Sequence, residues 1–224
     1  MAHSIMKKEI IKKGAEAILF TGQWFGHDVI FKHRIPKQYR IEELDKQIRF
    51  QRTINEARAL IKAKELGINV PQVYEIDYLN SIIVMGYVNG EKLKDIMNQL
   101  SNNQKKWIFR KLGEFISKLH QNGQIHGDIT TSNIILTKRE KLFLIDFGLH
   151  EYSDSIEDKS VDLHLFKRVL ISSHGDNYKL CFKMFLDGYK NAYPKGIRSL
   201  SESIIKNIKI IETRGRYIKK QDRL

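Results

Sequence analysis

His126-Gly127-Asp128-Ile129-Thr130-Thr131-Ser132-Asn133 is the stretch on which the reading of this chain turns. It sets an aspartate and an asparagine five positions apart behind a His-Gly pair. A second acidic motif, Asp146-Phe147-Gly148, follows two β-forming runs, Asn133–Thr137 and Leu142–Gly148, which flank Lys138-Arg139-Glu140-Lys141 and read as a hairpin. One acidic turn arises easily by chance. H-x-D-x-x-x-x-N, a hairpin and D-F-G in that order are a far rarer coincidence.

Phosphoryl transfer from ATP asks little covalent chemistry of a protein. It needs cations for the phosphates, a carboxylate to orient the nucleophile and hard oxygen ligands for Mg²⁺. Asp128 is placed to act on an attacking hydroxyl or water. The Asn133 amide oxygen and the Asp146 carboxylate suit a hard cation, Mg²⁺ or Mn²⁺, and ligands at facing ends of a hairpin can converge. Gly148 lets the backbone turn away after Asp146.

Upstream, Ile30 and Lys32 share a face of the run Val29–Lys32, so one can cover adenine while the other reaches the phosphates. Glu56, inside a long helical stretch, is the carboxylate expected to hold Lys32. Gly14 of Gly14-Ala15-Glu16-Ala17 is the lone glycine where a phosphate-covering loop would lie. Met85-Gly86-Tyr87-Val88 is the expected hinge, its backbone groups available to adenine.

Around these motifs the first part of the chain is β-rich. Ala17–Phe20 and Asp28–Lys32 are short strands separated by Thr21–His27, and Val73–Leu79 pairs with Ser81–Val88 across Asn80. Between them, Leu44, Ile48, Ile54, Ala57 and Ile61 recur at helical spacing over 41–66, with Gly67 as the stop. Ser101 and Gln104 form a capping-box pattern. They open a helix with an apolar face of Ile108, Leu112, Phe115, Ile116 and Leu119. Helices are expected over 161–172, 178–193 and 200–213. The sum is an α+β fold of two lobes with a cleft between them: residues 1–88, then 89–213, then a basic tail over 214–224.

The 224 residues suffice for one domain or two small lobes, and 42% hydrophobic with 29% charged residues is a globular composition. The single cysteine, Cys181, forbids an internal disulfide and fits a reducing compartment, here taken as the cytoplasm. No apolar run can cross a bilayer, so no membrane partner is expected. Lysines interrupt the isoleucines of the first thirteen residues, which excludes a signal peptide there, and Met6 is a candidate native start. A net charge of +13 and a pI near 9.7 fit either an anionic partner or a generally Lys- and Ile-rich proteome.

These residues resemble the protein-kinase superfamily. More narrowly, the chain is similar to the small atypical kinases of the KEOPS complex, which supports threonylcarbamoyl modification of tRNA. The resemblance covers almost the whole chain. Its most specific parts are Gly14–Ala17, Val29–Arg40, Arg52–Leu60, His126–Asn133, Glu157–Leu163 and Arg214–Arg216. It implies a two-lobed kinase-like fold with a β-rich N-lobe, one long helix and a reduced helical C-lobe. It implies ATP with Mg²⁺, Lys32 paired with Glu56, and a serine/threonine kinase or ATPase activity. The partners implied are a threonylcarbamoyl-transferase subunit on the C-lobe and tail, a small subunit on the N-lobe, and tRNA.

Two departures from the kinase pattern bear on activity. Gly127 stands where regulated kinases carry the arginine that receives an activation-loop phosphate. After Asp146-Phe147-Gly148 the chain soon turns helical with no A-P-E, which favours an ATPase role over ordinary substrate phosphorylation. Asp162 is expected to steady the catalytic-loop backbone, and His126 to orient it. Two basic segments, Lys32–Arg40 and the tail with Arg214, Arg216, Lys219, Lys220 and Arg223, are the candidate contacts to tRNA phosphates or a partner. The alternatives are a small-molecule phosphotransferase of the aminoglycoside or choline type, and a non-catalytic tRNA-binding scaffold.

Overall fold

The computed structural model describes the backbone of residues 6–221 and the side chains of residues 9–214. The chain divides into two compact units. One runs to Gly90 and includes Phe143–Gly148; the other comprises Glu91–Leu142 and the chain from Leu149 onward.

The first unit is a five-stranded antiparallel sheet and one long helix. Its strands are β1 (Met6–Lys13), β2 (Ala17–Trp24), β3 (His27–Arg34), β4 (Val73–Asp77) and β5 (Ile82–Gly86), in the order β1-β2-β3-β5-β4. The segment of residues 6–13, unassigned from sequence, is an edge strand, and Lys12 and Lys13 sit where an edge needs protection from further pairing. Strands β2 and β3 outrun the sequence expectation, with pairing kept through Trp24 and His27. Only Phe25-Gly26 is left as a turn, with φ of 46° and 79°, the positive-φ geometry that suits a two-residue hairpin. Along β3, Val29 and Phe31 pack with Val84, Phe20, Trp24 and Ile82 on one face. The strand period turns Ile30, Lys32 and Arg34 to the other.

Helix α1 (Glu42–Glu65) falls where the periodicity put it and stops at Gly67, whose φ is 71°. Its buried face matches the expected stripe only in part: Ala57 is buried and Ile48 and Ile54 are half-buried. Leu44 and Ile61 are 49% and 41% exposed, while Thr53, Glu56, Ala57, Leu60 and Ala63 are buried. The sheet presents cations to this helix, so Glu56 faces inward among Thr53, Ala57, Leu60 and Ala63, while Leu44 and Ile61 face out.

The second unit is mainly helical. It contains α2 (Leu93–Ile96), α3 (Asn102–Gln121), β7 (Gln124–Ile125), β8 (Ile134–Thr137), β10 (Glu151–Tyr152), α4 (Ile156–Ser173), α5 (Tyr178–Asn191) and α6 (Arg198–Gln221). The remaining strands, β6 (Gly90–Lys92) and β9 (Leu142–Leu144), lie where the chain passes between units. The capping box at Ser101 and Gln104 is formed, and the expected apolar face of α3 is buried. Helices α3 and α5 meet backbone to backbone. A Cβ on Gly113 would lie 2.0 Å from the Phe185 carbonyl oxygen, and one on Gly188 1.9 Å from that of Arg110. Helix α6 runs on to Gln221, so residues 214–221 continue a helix begun at Arg198. Among the described residues no helix is long and apolar enough to cross a membrane.

Candidate active site

In the first unit, Lys32 Nζ lies 2.6 Å from Glu56 Oε1 and 2.7 Å from Asp146 Oδ1. Lys32 is 8% exposed and Glu56 1%. Burial alone would lower the lysine's pKa, but the charges of Glu56 and Asp146 outweigh it and raise it above its ordinary value. The pairing read from sequence is therefore present. What sequence reading missed is Arg34, whose Nη2 donates to the other Glu56 oxygen at 2.6 Å. The available signal was its place two residues beyond Lys32 in a strand, on the same face.

Asp146 does not end a strand. Strand β9 stops at Leu144, tied by its N–H to the Asn69 carbonyl at 2.9 Å, and Asp146 adopts a left-handed backbone with φ of 66°. The turn assigned to Gly148 is thus made at the aspartate itself. Gly148 donates its N–H to Asp146 Oδ1 at 3.2 Å, and the Asp146 side chain stays 43% exposed. A carboxylate oriented this firmly and still open to solvent can take a hard cation.

The remaining nucleotide-site candidates of this unit are partly spoken for. Gly14 N–H is not free for a phosphate, because it closes a turn on the Ala17 carbonyl at 2.9 Å. The Ala15 carbonyl accepts from Lys37, Glu16 is held by Arg52 at 2.6 Å, and Ala17 is buried in β2. In the expected hinge, Met85 pairs with Ile30, Gly86 N–H is bonded to the Gln72 carbonyl and Tyr87 N–H to that of Asp28. Val88 N–H has no acceptor among the described residues.

The segment Lys32–Arg40 is not a free basic patch. Lys32 and Arg34 are buried in the charge cluster, and Arg40 faces Asp45 at 3.5 Å and Glu16 at 3.9 Å. Opposite charges on α1 and the β1–β2 turn draw this stretch onto its own unit.

In the second unit, the loop before β8 is built around Asp162 of α4. This carboxylate is 2% exposed and accepts the N–H of His126 at 3.2 Å and that of Gly127 at 3.0 Å. His120 Nε2 adds a third contact at 3.0 Å. Burial would raise the Asp162 pKa, but the His120 hydrogen bond and charge, with the Gly127 N–H, bring it below the usual value. The network continues from His120 Nδ1 to Tyr189 Oη at 2.9 Å and on to Tyr193 Oη at 3.1 Å.

His126 Nδ1 accepts the Asp128 N–H at 3.2 Å, which puts the ring proton of a neutral imidazole on Nε2. Asn133 belongs to a 3₁₀ turn of Thr131–Asn133, not to the following strand. Its Nδ2 donates to the Asp128 carbonyl at 3.1 Å and to Asp128 Oδ2 at 2.8 Å. That commits the amide nitrogen to Asp128 and leaves Oδ1 as the atom that could hold a cation.

Gly127 has a reason beyond the missing phosphate partner. Its φ is 78°, and a Cβ would lie 2.3 Å from the Leu149 carbonyl oxygen. An arginine cannot occupy this position without displacing the chain after D-F-G. That chain is short and pinned: Glu151 and Tyr152 pair with Ile125 and Gln124, Ser153 N–H bonds the Gly123 carbonyl at 2.9 Å, and α4 begins at Ile156. Of the tail candidates, Arg214 reaches Glu157 of α4 at 2.8 Å. The side chains of Arg216, Lys219 and Lys220, and all of Arg223, lie outside the described residues.

A lysine held by a helix glutamate beside the D-F-G aspartate, and an H-x-D-x-x-x-x-N loop braced by a buried aspartate, are features of kinase-like domains. Residues 41–179 match the family described as the ABC1 atypical kinase-like domain. The KEOPS complex subunit Bud32 of Pyrococcus abyssi is 43% identical over 215 residues, covering 93% of this chain and 96% of its own. Probable bifunctional tRNA threonylcarbamoyladenosine biosynthesis proteins of Methanocaldococcus jannaschii and Methanosphaera stadtmanae are each 40% identical, over 94% and 96% of this chain. The chain spans only 37% and 38% of their lengths. The chain belongs to the atypical kinase-like family that contains the Bud32 subunits of KEOPS.

Proposed function

We propose that this chain is an ATP-dependent phosphotransferase, kinase and/or ATPase, that serves as a regulatory subunit of a complex making threonylcarbamoyladenosine in tRNA. The observation that carries the reading is Lys32, held between Glu56 and Asp146. In it, Lys32 takes the α/β phosphates, Asp128 orients the nucleophile, and Asn133 and Asp146 each supply a hard oxygen ligand. A bound Mg²⁺ or Mn²⁺ would offset charge on the phosphates. Ile30 covers the adenine, Val88 N–H is the free hinge donor, and Ala15 and Glu16 offer the backbone N–H groups toward phosphate.

The short, pinned segment after D-F-G supports ATP hydrolysis within the complex over phosphorylation of a docked peptide. The names of the relatives support KEOPS-type partners, tRNA and a cytoplasmic setting. The small partner subunit would use the first unit, whose exposed Leu44, Phe50, Tyr78 and Leu79 offer apolar surface. The transferase subunit would use the second unit and the end of α6, and Arg214, Arg216, Lys219, Lys220 and Arg223 would meet tRNA or that subunit.

The test is γ-labelled ATP with Mg²⁺, following label in protein and in free phosphate separately, for wild type and Asp128→Ala. Free phosphate that rises when the transferase subunit and tRNA are added, and is lost in Asp128→Ala, is the expected result. Label retained on protein would make the chain a kinase. No Asp128-dependent signal in either form would leave a non-catalytic scaffold.

A further inference from the structure

Arg34 is 3% exposed and occupies one oxygen of Glu56 while Lys32 occupies the other. Lys32 is in turn shared with Asp146. The Arg34 Nε is buried with no acceptor among the described residues. The guanidinium also lies close to Gly148. A Cβ there would lie 3.1 Å from Asp146 Oδ1, 3.6 Å from Arg34 Nη2 and 3.8 Å from Lys32 Nζ. Two cations and two carboxylates therefore form one charge-balanced group, with little room beside it for a side chain at position 148.

We propose that Arg34 is a positioning residue of the nucleotide site: it is the counter-charge to Glu56 that frees Lys32 for the phosphates of a ligand. The inference rests on reading the chain as a nucleotide binder. Its basis is electrostatic. When Lys32 is drawn toward a phosphate, Glu56 keeps a cation at 2.6 Å and is not left buried and alone. Without Arg34, one lysine faces two carboxylates, the group carries net negative charge, and a polyphosphate must approach an anionic, poorly solvated site. Arg34 and Lys32 together also hold α1 to β3 through Glu56 at two points, so this anchorage needs no ligand.

The test is titration calorimetry of the full chain with ADP and with adenosine, for wild type, Arg34→Met and Arg34→Lys, with melting temperatures alongside. Arg34→Met is expected to weaken ADP about tenfold or more and to leave adenosine unchanged, since only the charged ligand senses the missing cation. Arg34→Lys, which keeps the charge, is expected to restore most of the ADP affinity. Parallel weakening of both ligands, or no rescue by lysine, would overturn the proposal and leave Arg34 a packing residue. A wild type that binds ADP no better than Arg34→Met would overturn it as well. A wild type that binds neither ligand would remove the nucleotide reading itself, and this inference with it.

Discussion

The cluster on β3 and α1 and the loop network on α4 both hold a buried carboxylate in place, by opposite means. Glu56 is held by two full cations, each at 2.6 Å. Asp162 is held by two backbone N–H groups and a histidine that passes its other nitrogen to a tyrosine. Charges that a ligand can draw on stand where phosphates are expected. Hydrogen bonds from fixed backbone stand where the task is to keep one loop in one shape. On the proposed reading the difference teaches that one region is suited to exchanging partners and the other to holding one shape.

That contrast can be broken experimentally, most severely at Asp162. Asp162→Ala leaves two loop N–H groups and His120 without their acceptor. It is expected to cost about 3–5 kcal/mol in urea unfolding. A loss as small as that of a surface substitution would show that the loop holds itself.

The next effect is a pH dependence confined to the loop side. Burial, reinforced by the charge of His126, lowers the His150 pKa from 6.5 to about 4. The folded chain thus keeps His150 neutral while the unfolded chain takes a proton below about 6.5. Its contribution is complete above that value and is lost as pH falls toward 4, roughly 3 kcal/mol in all. Unfolding followed across this window should be flatter in His150→Gln, which retains a partner for Gln124; identical slopes would refute the assignment.

Gly127→Ala probes the same loop by backbone shape. Positive φ and a 2.3 Å approach to Leu149 should cost about 1–3 kcal/mol. An unchanged melting temperature would mean that the chain after D-F-G yields readily. The smallest expected effect is that of Tyr193→Phe, about 1 kcal/mol for one hydrogen bond at the far end of the network. A larger loss there would show that the network acts as a unit.

Much of this was legible in the sequence, for local reasons. Period-2 alternation placed Lys32 on the face away from Val29 and Phe31, and the capping box announced α3. Glu56 is legible because a phosphate-binding lysine needs a carboxylate to hold it and this glutamate lies on the helix that must pack against the strands. Arg34 is not singled out by sequence because it sits inside a run of basic residues that reads as one contact surface for tRNA or a partner. The stripe expected on α1 holds at Ala57 and fails at Leu44 and Ile61 for a related reason: the Glu56 ion pairs help to set which face turns inward, and hydrophobic periodicity carries no information about that. Left-handed φ at Asp146 and the contact of Gly127 with Leu149 depend on tertiary structure, so motif spacing indicated the residues but not their backbone shape.

The most direct test of phosphoryl transfer at this site is the Mg²⁺ dependence of binding of a non-hydrolysable ATP analogue, measured for wild type and Asp146→Asn. The account predicts binding that Mg²⁺ strengthens in wild type, and a residual affinity in the variant that Mg²⁺ does not change. No binding by wild type, or the same Mg²⁺ response in both, would contradict it.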